Sequence, residues 1–122
     1  TCMLVSHDPL DTLSWADEML VLRNGLVVQQ GPPMQVYQAP GDEYVAGLFG
    51  KYNLIDGRIV RPEQIGIFFE GQPGAVKGRV ETVSFWGSFF EATVLTDSGL
   101  SLTVRVWGTS LAASDLVYVT VP

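Results

Sequence analysis

The chain has 122 residues, of which 47% are hydrophobic, with a net charge of −6 and a single cysteine. That apolar share provides for a packed core and argues against a disordered polymer, while the acid excess makes nucleic acid a poor partner, because phosphate backbones are held by clustered Lys and Arg. Cys2 alone cannot form an intramolecular disulfide and suits a reducing compartment; no apolar run reaches the length of a membrane-spanning helix and no signal-peptide pattern opens the chain.

The acid is uneven. Residues 1–50 carry six acids and one base (−5), whereas residues 51–122 carry seven acids and six bases (−1), which predicts a boundary near Lys51. In chain order, the apolar run Cys2–Val5 predicts a strand that ends at the polar tip Ser6-His7-Asp8. Asp8 is placed to cap a helix and Pro9 suits its first position, where the N–H that proline lacks would be orphaned anyway. Leu10, Leu13 and Ala16 recur at helical spacing. Met19–Leu22 reads as a short strand, Asn24-Gly25 as a type I′ turn because both residues tolerate positive φ, and Leu26–Val28 as the returning strand. Gly31-Pro32-Pro33 breaks that strand and starts a short helix through Gln38. Asp42 caps a second short helix with Tyr44, Val45, Leu48 and Phe49 on one side, and Gly50 stops it.

From about Tyr52 the hydrophobic period changes to two. Asp56-Gly57 and Gly71-Gln72-Pro73-Gly74 are turns, and Ile65–Phe69 and Val76–Phe85 are strands. In the second of these Val80 and Val83 fall out of step, so a bulge near Glu81-Thr82 is required to bring both to one face. Phe90, Ala92 and Val94 alternate cleanly. Asp97-Ser98-Gly99 is a three-residue hairpin loop with Gly99 left-handed. Leu100–Val106 alternates again, and Val117, Val119 and Val121 close the series. Short strands at regular spacing predict a small β-barrel or sandwich.

Read from residue type alone, few side chains promise chemistry. A lone His7 beside an apolar strand is more often structural than catalytic. Asp8 and Asp11 fit a helix start, where the dipole favours acid, better than a metal site. Asp17-Glu18 and Asp42-Glu43 are sequence neighbours, which does not aim two carboxylates at one atom. Arg61-Pro62-Glu63 reads as a rigid turn into the next strand with a surface charge pair. Phe85-Trp86-Gly87, Phe89-Phe90 and Trp107 form an aromatic set, read as core or subunit-interface packing because the basic groove of a base-stacking platform is missing. Gly87-Ser88 and Gly108-Thr109-Ser110 offer N–H groups that a small oxyanion could use.

The ordered series Ser6-His7-Asp8, Ala16-Asp17, Met19–Leu22, Asn24-Gly25, Gln30-Gly31, Pro33, Tyr37, Pro40, Val45–Gly50 and Val60-Arg61-Pro62-Glu63 resembles the C-terminal part of an ABC transporter ATP-binding subunit of the importer type (the maltose, polyamine, sulfate and ferric-iron group) with a TOBE-like accessory domain. The resemblance implies an α/β C-terminal fragment of the ATPase domain over residues 1–50, followed by a small all-β, OB-like barrel of regulatory role over residues 51–122. It implies that His7 is the switch histidine that meets the γ-phosphate in an intact parent binding ATP and Mg²⁺. The phosphate loop GxxxxGK[ST] does not occur in this sequence, so the chain reads as a C-terminal piece of a longer polypeptide that binds no cofactor and is not an enzyme by itself. The implied partners are a second copy of the subunit and transmembrane permease subunits, at the cytoplasmic face of the membrane. The alternative reading is a stand-alone β-barrel that binds a small anion. Compared with the resembling family, the stretch from Asn53-Leu54 to Val60 is short, so either the barrel lacks a strand or residues 54–60 form a compact substitute. Residues 2–5 are expected to be an exposed apolar strand edge prone to self-association.

Overall fold

Residues 2–122 are described by the computed structural model, and they divide between Lys51 and Tyr52 into two units. The first unit is built around the Asn24-Gly25 turn. Both residues take positive φ, 52° and 77°, the type I′ geometry that matches strand twist. The turn joins β1 (Met19–Arg23) to β2 (Leu26–Gly31) as an antiparallel hairpin with an irregularity between Val21 and Leu22. Val21 is buried against Val36 of α2 (Pro33–Gln38) and Val45 and Phe49 in and after α3 (Glu43–Leu48). Asp42 caps α3 as expected, its Oδ1 accepting from Val45 N at 2.9 Å.

Two expectations for this unit are corrected. Residues 2–5 form no strand; they are exposed, irregular chain. A strand is stable only when its N–H and C=O groups meet a neighbour, and among the described residues nothing pairs with this run. The helix after it, α1 (Pro9–Thr12), is also shorter than the spacing of Leu10, Leu13 and Ala16 predicts. Pro9 does open it, and turn-like bonds from Leu13, Trp15 and Ala16 N–H groups continue it loosely. Asp8 occupies the cap position without using its carboxylate to cap. So short a helix with no buried residue lacks the packed face that normally holds helices together. The first unit is thus a hairpin with short helices, and the α/β ATPase fold is not displayed by it.

The second unit is β-rich. β3 (Asn53–Ile55) and β4 (Arg58–Val60) form a tight hairpin about Asp56-Gly57, whose φ angles of 50° and 76° again make a type I′ turn. Residues 54–60 thus lie almost wholly in this compact hairpin. A 3₁₀ turn (Pro62–Gln64) leads to β5 (Gly66–Phe68), then β6 (Val76–Phe85), β7 (Phe90–Thr96), β8 (Ser101–Val106) and β9 (Leu116–Thr120). The five strands from β5 onward make one antiparallel sheet in the order β5-β9-β6-β7-β8, curled into a half-barrel. Val80 pairs with Val94 and Thr82 with Thr93, which leaves Glu81 as the bulged residue the pattern demands. Gly99 is left-handed (φ 88°) in the β7–β8 loop. Val80, Ala92, Val94, Leu102, Val104, Val117 and Val119 fill the inner face.

The sheet is not closed by strand pairing between β5 and β8. Instead Asn53 reaches the outer edge of β8: its Oδ1 accepts from Thr103 N at 2.7 Å and its Nδ2 donates to Thr103 O at 2.8 Å. One buried side-chain amide thus supplies the two hydrogen bonds that a residue of a neighbouring strand would have made.

Candidate functional site

His7 lies on exposed, irregular chain just before α1. Ser6 Oγ accepts from Asp8 N at 3.0 Å, which shapes the backbone around it. Among the described residues no group of three or more His, Cys, Asp and Glu is placed to hold a metal ion. The sequence contains no GxxxxGK[ST] run. Asp8, Asp11, Asp17, Glu18, Asp42 and Glu43 are likewise separate, exposed groups. No helix among the described residues is long and apolar enough to cross a membrane.

The denser chemistry sits in the second unit. The Arg61-Pro62-Glu63 segment is the rigid turn expected, with Gln64 Oε1 accepting from Arg61 N at 2.8 Å. It is not the surface charge pair expected, because Arg61 is only 1% exposed. Burying a guanidinium is tolerable only with compensating charge and hydrogen bonds; the acids Glu63 and Glu91 meet a second guanidinium, that of Arg105. Glu63 Oε1 lies 3.9 Å from Arg105 Nη1, and Arg105 Nε donates to Glu91 Oε2 at 3.3 Å, with Glu91 itself buried. Arg105 also lies over the Phe89 ring, 5.1 Å from its centroid, a cation–π placement. The 3₁₀ turn, β7 and β8 are therefore tied at one guanidinium.

The aromatic set does come together, but outside the core. Trp86 stacks on Phe89 at 6.4 Å, Phe89 meets Trp107 at 5.6 Å and Phe85 meets Phe90 at 5.1 Å. Phe85, Trp86 and Trp107 remain exposed, so core packing is overturned for these three. The strands place them there: Phe85 and Phe90 end β6 and begin β7 as a pair, while Trp107 follows Val106 off the end of β8. Gly87 and Gly108 take positive φ (93° and 74°) in the adjoining turns.

Beside this set is a groove of about 370 Å³, lined by Ile67, Phe68, Phe69, Glu70, Gln72, Val106 and Thr109. The residue pattern did not reveal it, because its walls come from segments about forty residues apart. The only sequence signal was the unbroken apolar run Ile67–Phe69, too long on one side for a strand with a single buried face. Glu70 is the one charged residue in the lining, which makes the groove a poor receptor for an anion.

One comparison with known proteins falls on this same part of the chain. The TOBE domain family model matches residues 59–120. The chain is similar to the sulfate/thiosulfate import ATP-binding protein CysA of Mycobacterium tuberculosis, 37% identical over 67 residues covering 55% of this chain and 19% of that protein. It is similar also to the spermidine/putrescine import ATP-binding protein PotA of Salmonella typhimurium, 35% identical over 60 residues covering 49% of this chain and 16% of that protein. The matched segment spans less than a fifth of the length of either relative. The resemblance to TOBE-containing import ATP-binding subunits, drawn from short motifs, is borne out. With residues 59–120 of 122 matched by the model and folded as the curled antiparallel sheet, the chain belongs to the TOBE domain family.

Proposed function

We propose that this chain is the C-terminal, regulatory portion of the ATP-binding subunit of an ABC importer. The observation that carries this reading is the coincidence of the TOBE match, residues 59–120, with the better-packed β unit, preceded by a segment bearing His7 in its family motif. In the intact subunit the first unit would complete the ATPase domain and His7 would contact the γ-phosphate, where an imidazole can donate a hydrogen bond. ATP and Mg²⁺ would be held by residues outside this chain. The β unit would steady the association of two subunits, and the assembly would dock on transmembrane permease subunits at the cytoplasmic face. The chain alone would neither bind nor hydrolyse ATP.

A stand-alone small-anion receptor gains no support from the groove, since Glu70 lines it. The proposal is tested with a chimera in which this chain replaces the matching C-terminal part of one of the two import ATP-binding proteins named above. The chimera is expected to hydrolyse ATP, and His7→Ala to lower kcat about a hundredfold or more. An inactive but folded chimera, or a kcat indifferent to His7→Ala, would contradict the assignment.

A further inference from the structure

The Asn24-Gly25 turn carries chemistry as well as geometry. It is the one Asn-Gly pair in the sequence; the other asparagine, Asn53, is followed by Leu54. Asn24 and Gly25 are exposed, as is every residue over 22–28. The Asn24 carboxamide has no hydrogen-bonding partner among the described residues. Nothing lies within 4 Å of the position that a Cβ on Gly25 would occupy, so the approach to Gly25 is open.

We infer that Asn24 is a site of spontaneous modification: conversion through a cyclic imide to aspartate and isoaspartate, with water as the co-reactant. The Gly25 backbone nitrogen gives up its proton and attacks the Asn24 side-chain carbonyl carbon. A new C–N bond closes a five-membered ring, the carboxamide C–N bond breaks, and the leaving nitrogen takes up the proton and departs as ammonia. Water then adds to one of the two imide carbonyls. Opening at the side-chain carbonyl restores the main chain and leaves aspartate; opening at the main-chain carbonyl routes the chain through the side-chain carbon and leaves isoaspartate. Glycine suits the attacking position because no Cβ crowds its nitrogen.

The closed turn, with φ of 52° and 77°, is a compact type I′ geometry, so the attack belongs to the moments when the hairpin end opens. That end is lightly held. The pairs Leu22↔Val27 and Arg23↔Leu26 lie beyond the irregularity that follows Val21. Behind them, the Tyr44 hydroxyl donates to Leu22 O at 3.2 Å and the Arg23 guanidinium lies 4.5 Å from the centre of the Tyr44 ring. Exposed, thinly packed backbone of this kind opens locally at low cost. Asn53 is the contrast: it is 5% exposed, and its carboxamide both donates to and accepts from Thr103.

Asp56-Gly57 repeats the turn, with φ of 50° and 76°. An ionised carboxylate is a poor electrophile, so this second turn reacts more slowly, and it shows that plain aspartate fits the first turn position. The disruptive product at Asn24 is therefore isoaspartate. It adds a methylene to the main chain, which no longer matches the two-residue turn that aligns the strands. The strand so loosened carries Val21, which is clustered with Val36, Val45 and Phe49. None of this chemistry depends on what the intact subunit does.

The test is incubation of the whole folded chain at physiological temperature, followed by peptide mapping with separation of aspartyl from isoaspartyl peptides. Asn24 is expected to convert at least about tenfold faster than Asn53 in the same sample, to give both products, and to react faster as the pH rises, since the attacking nitrogen must lose its proton. Chain rich in isoaspartate should show faster amide hydrogen exchange at Val21 and Leu22 than fresh chain, whereas Asn24→Asp should match fresh chain. Asn24 as durable as Asn53, or conversion to aspartate alone, overturns the inference. So does isoaspartate-bearing chain whose exchange in β1 equals that of fresh chain. The ageing measurement needs no substitution, so it decides the matter even if Asn24→Asp misfolds.

Discussion

Arg105 shows how one side chain fixes several elements. Its guanidinium meets Glu91 on β7, Glu63 on the 3₁₀ turn and the face of Phe89. The Glu91 carboxylate is buried, so removing Arg105 takes away one of the groups that compensate its charge, and that cost exceeds the net worth of the pair. Arg105→Met keeps the apolar stem and removes the charge. It is expected to destabilise the chain by about 1–3 kcal/mol, measured by urea denaturation, and the double variant with Glu91→Gln should recover part of that loss. Full additivity of the two changes would contradict direct coupling. Gly78 is the second residue whose identity is dictated by its surroundings. A Cβ there would stand 2.9 Å from the Leu95 carbonyl oxygen and 2.9 Å from Val94 Cγ1, in a strand paired on both sides. Gly78→Ala should therefore cost about 1–3 kcal/mol by forcing the β6–β7 pair apart, where an unhindered strand glycine would gain stability from the change. A neutral or stabilising effect in the same denaturation assay would show that the backbone accommodates the methyl group.

At the scale of elements, local chemistry was legible in the sequence and distant pairing was not. Asn24-Gly25, Asp56-Gly57 and Asp97-Ser98-Gly99 announce their turns because each needs positive φ at a residue that tolerates it. The Glu81 bulge followed from the slipped alternation of Val80 and Val83, a period-two argument that needs no partner strand. Residues 2–5 have strand character and no strand, because pairing is supplied by other chain segments and composition cannot say whether one is present. The Asn53 clasp was equally hidden: an Asn at the start of an apolar pair gives no sign that it will bond to Thr103, fifty residues away. That clasp makes a sharp prediction. Asn53→Ala would leave both the N–H and C=O of Thr103 without these bonds in a half-buried place and should cost about 1–3 kcal/mol. It should also raise amide hydrogen exchange at Thr103 selectively, with β6 and β9 less affected. Unchanged exchange at Thr103 would mean that water replaces the amide without loss.

For the molecule as a whole, the two units differ in kind. The second has a continuous valine-rich core within a curled sheet; the first has a small cluster of four buried apolar residues around Val21, with exposed leucines on its hairpin. Family membership was legible because it resides in short ordered motifs, which persist in a sequence whatever the chain folds into. The placement of the chemistry was less so. Arg61 read as a surface charge and is buried, and of the aromatic set, read as core or subunit-interface packing, Phe85, Trp86 and Trp107 lie exposed on the chain. Both depend on which face the finished sheet turns outward, a property of tertiary structure. His7 lies on exposed, irregular chain before α1. Under the proposed function, nucleotide is held by residues outside this chain. Isothermal titration of the chain with Mg-ATP tests that division most directly. The expected result is heats no larger than dilution up to millimolar nucleotide. Saturable one-to-one binding with micromolar affinity, about −8 kcal/mol, abolished by His7→Ala, would contradict it.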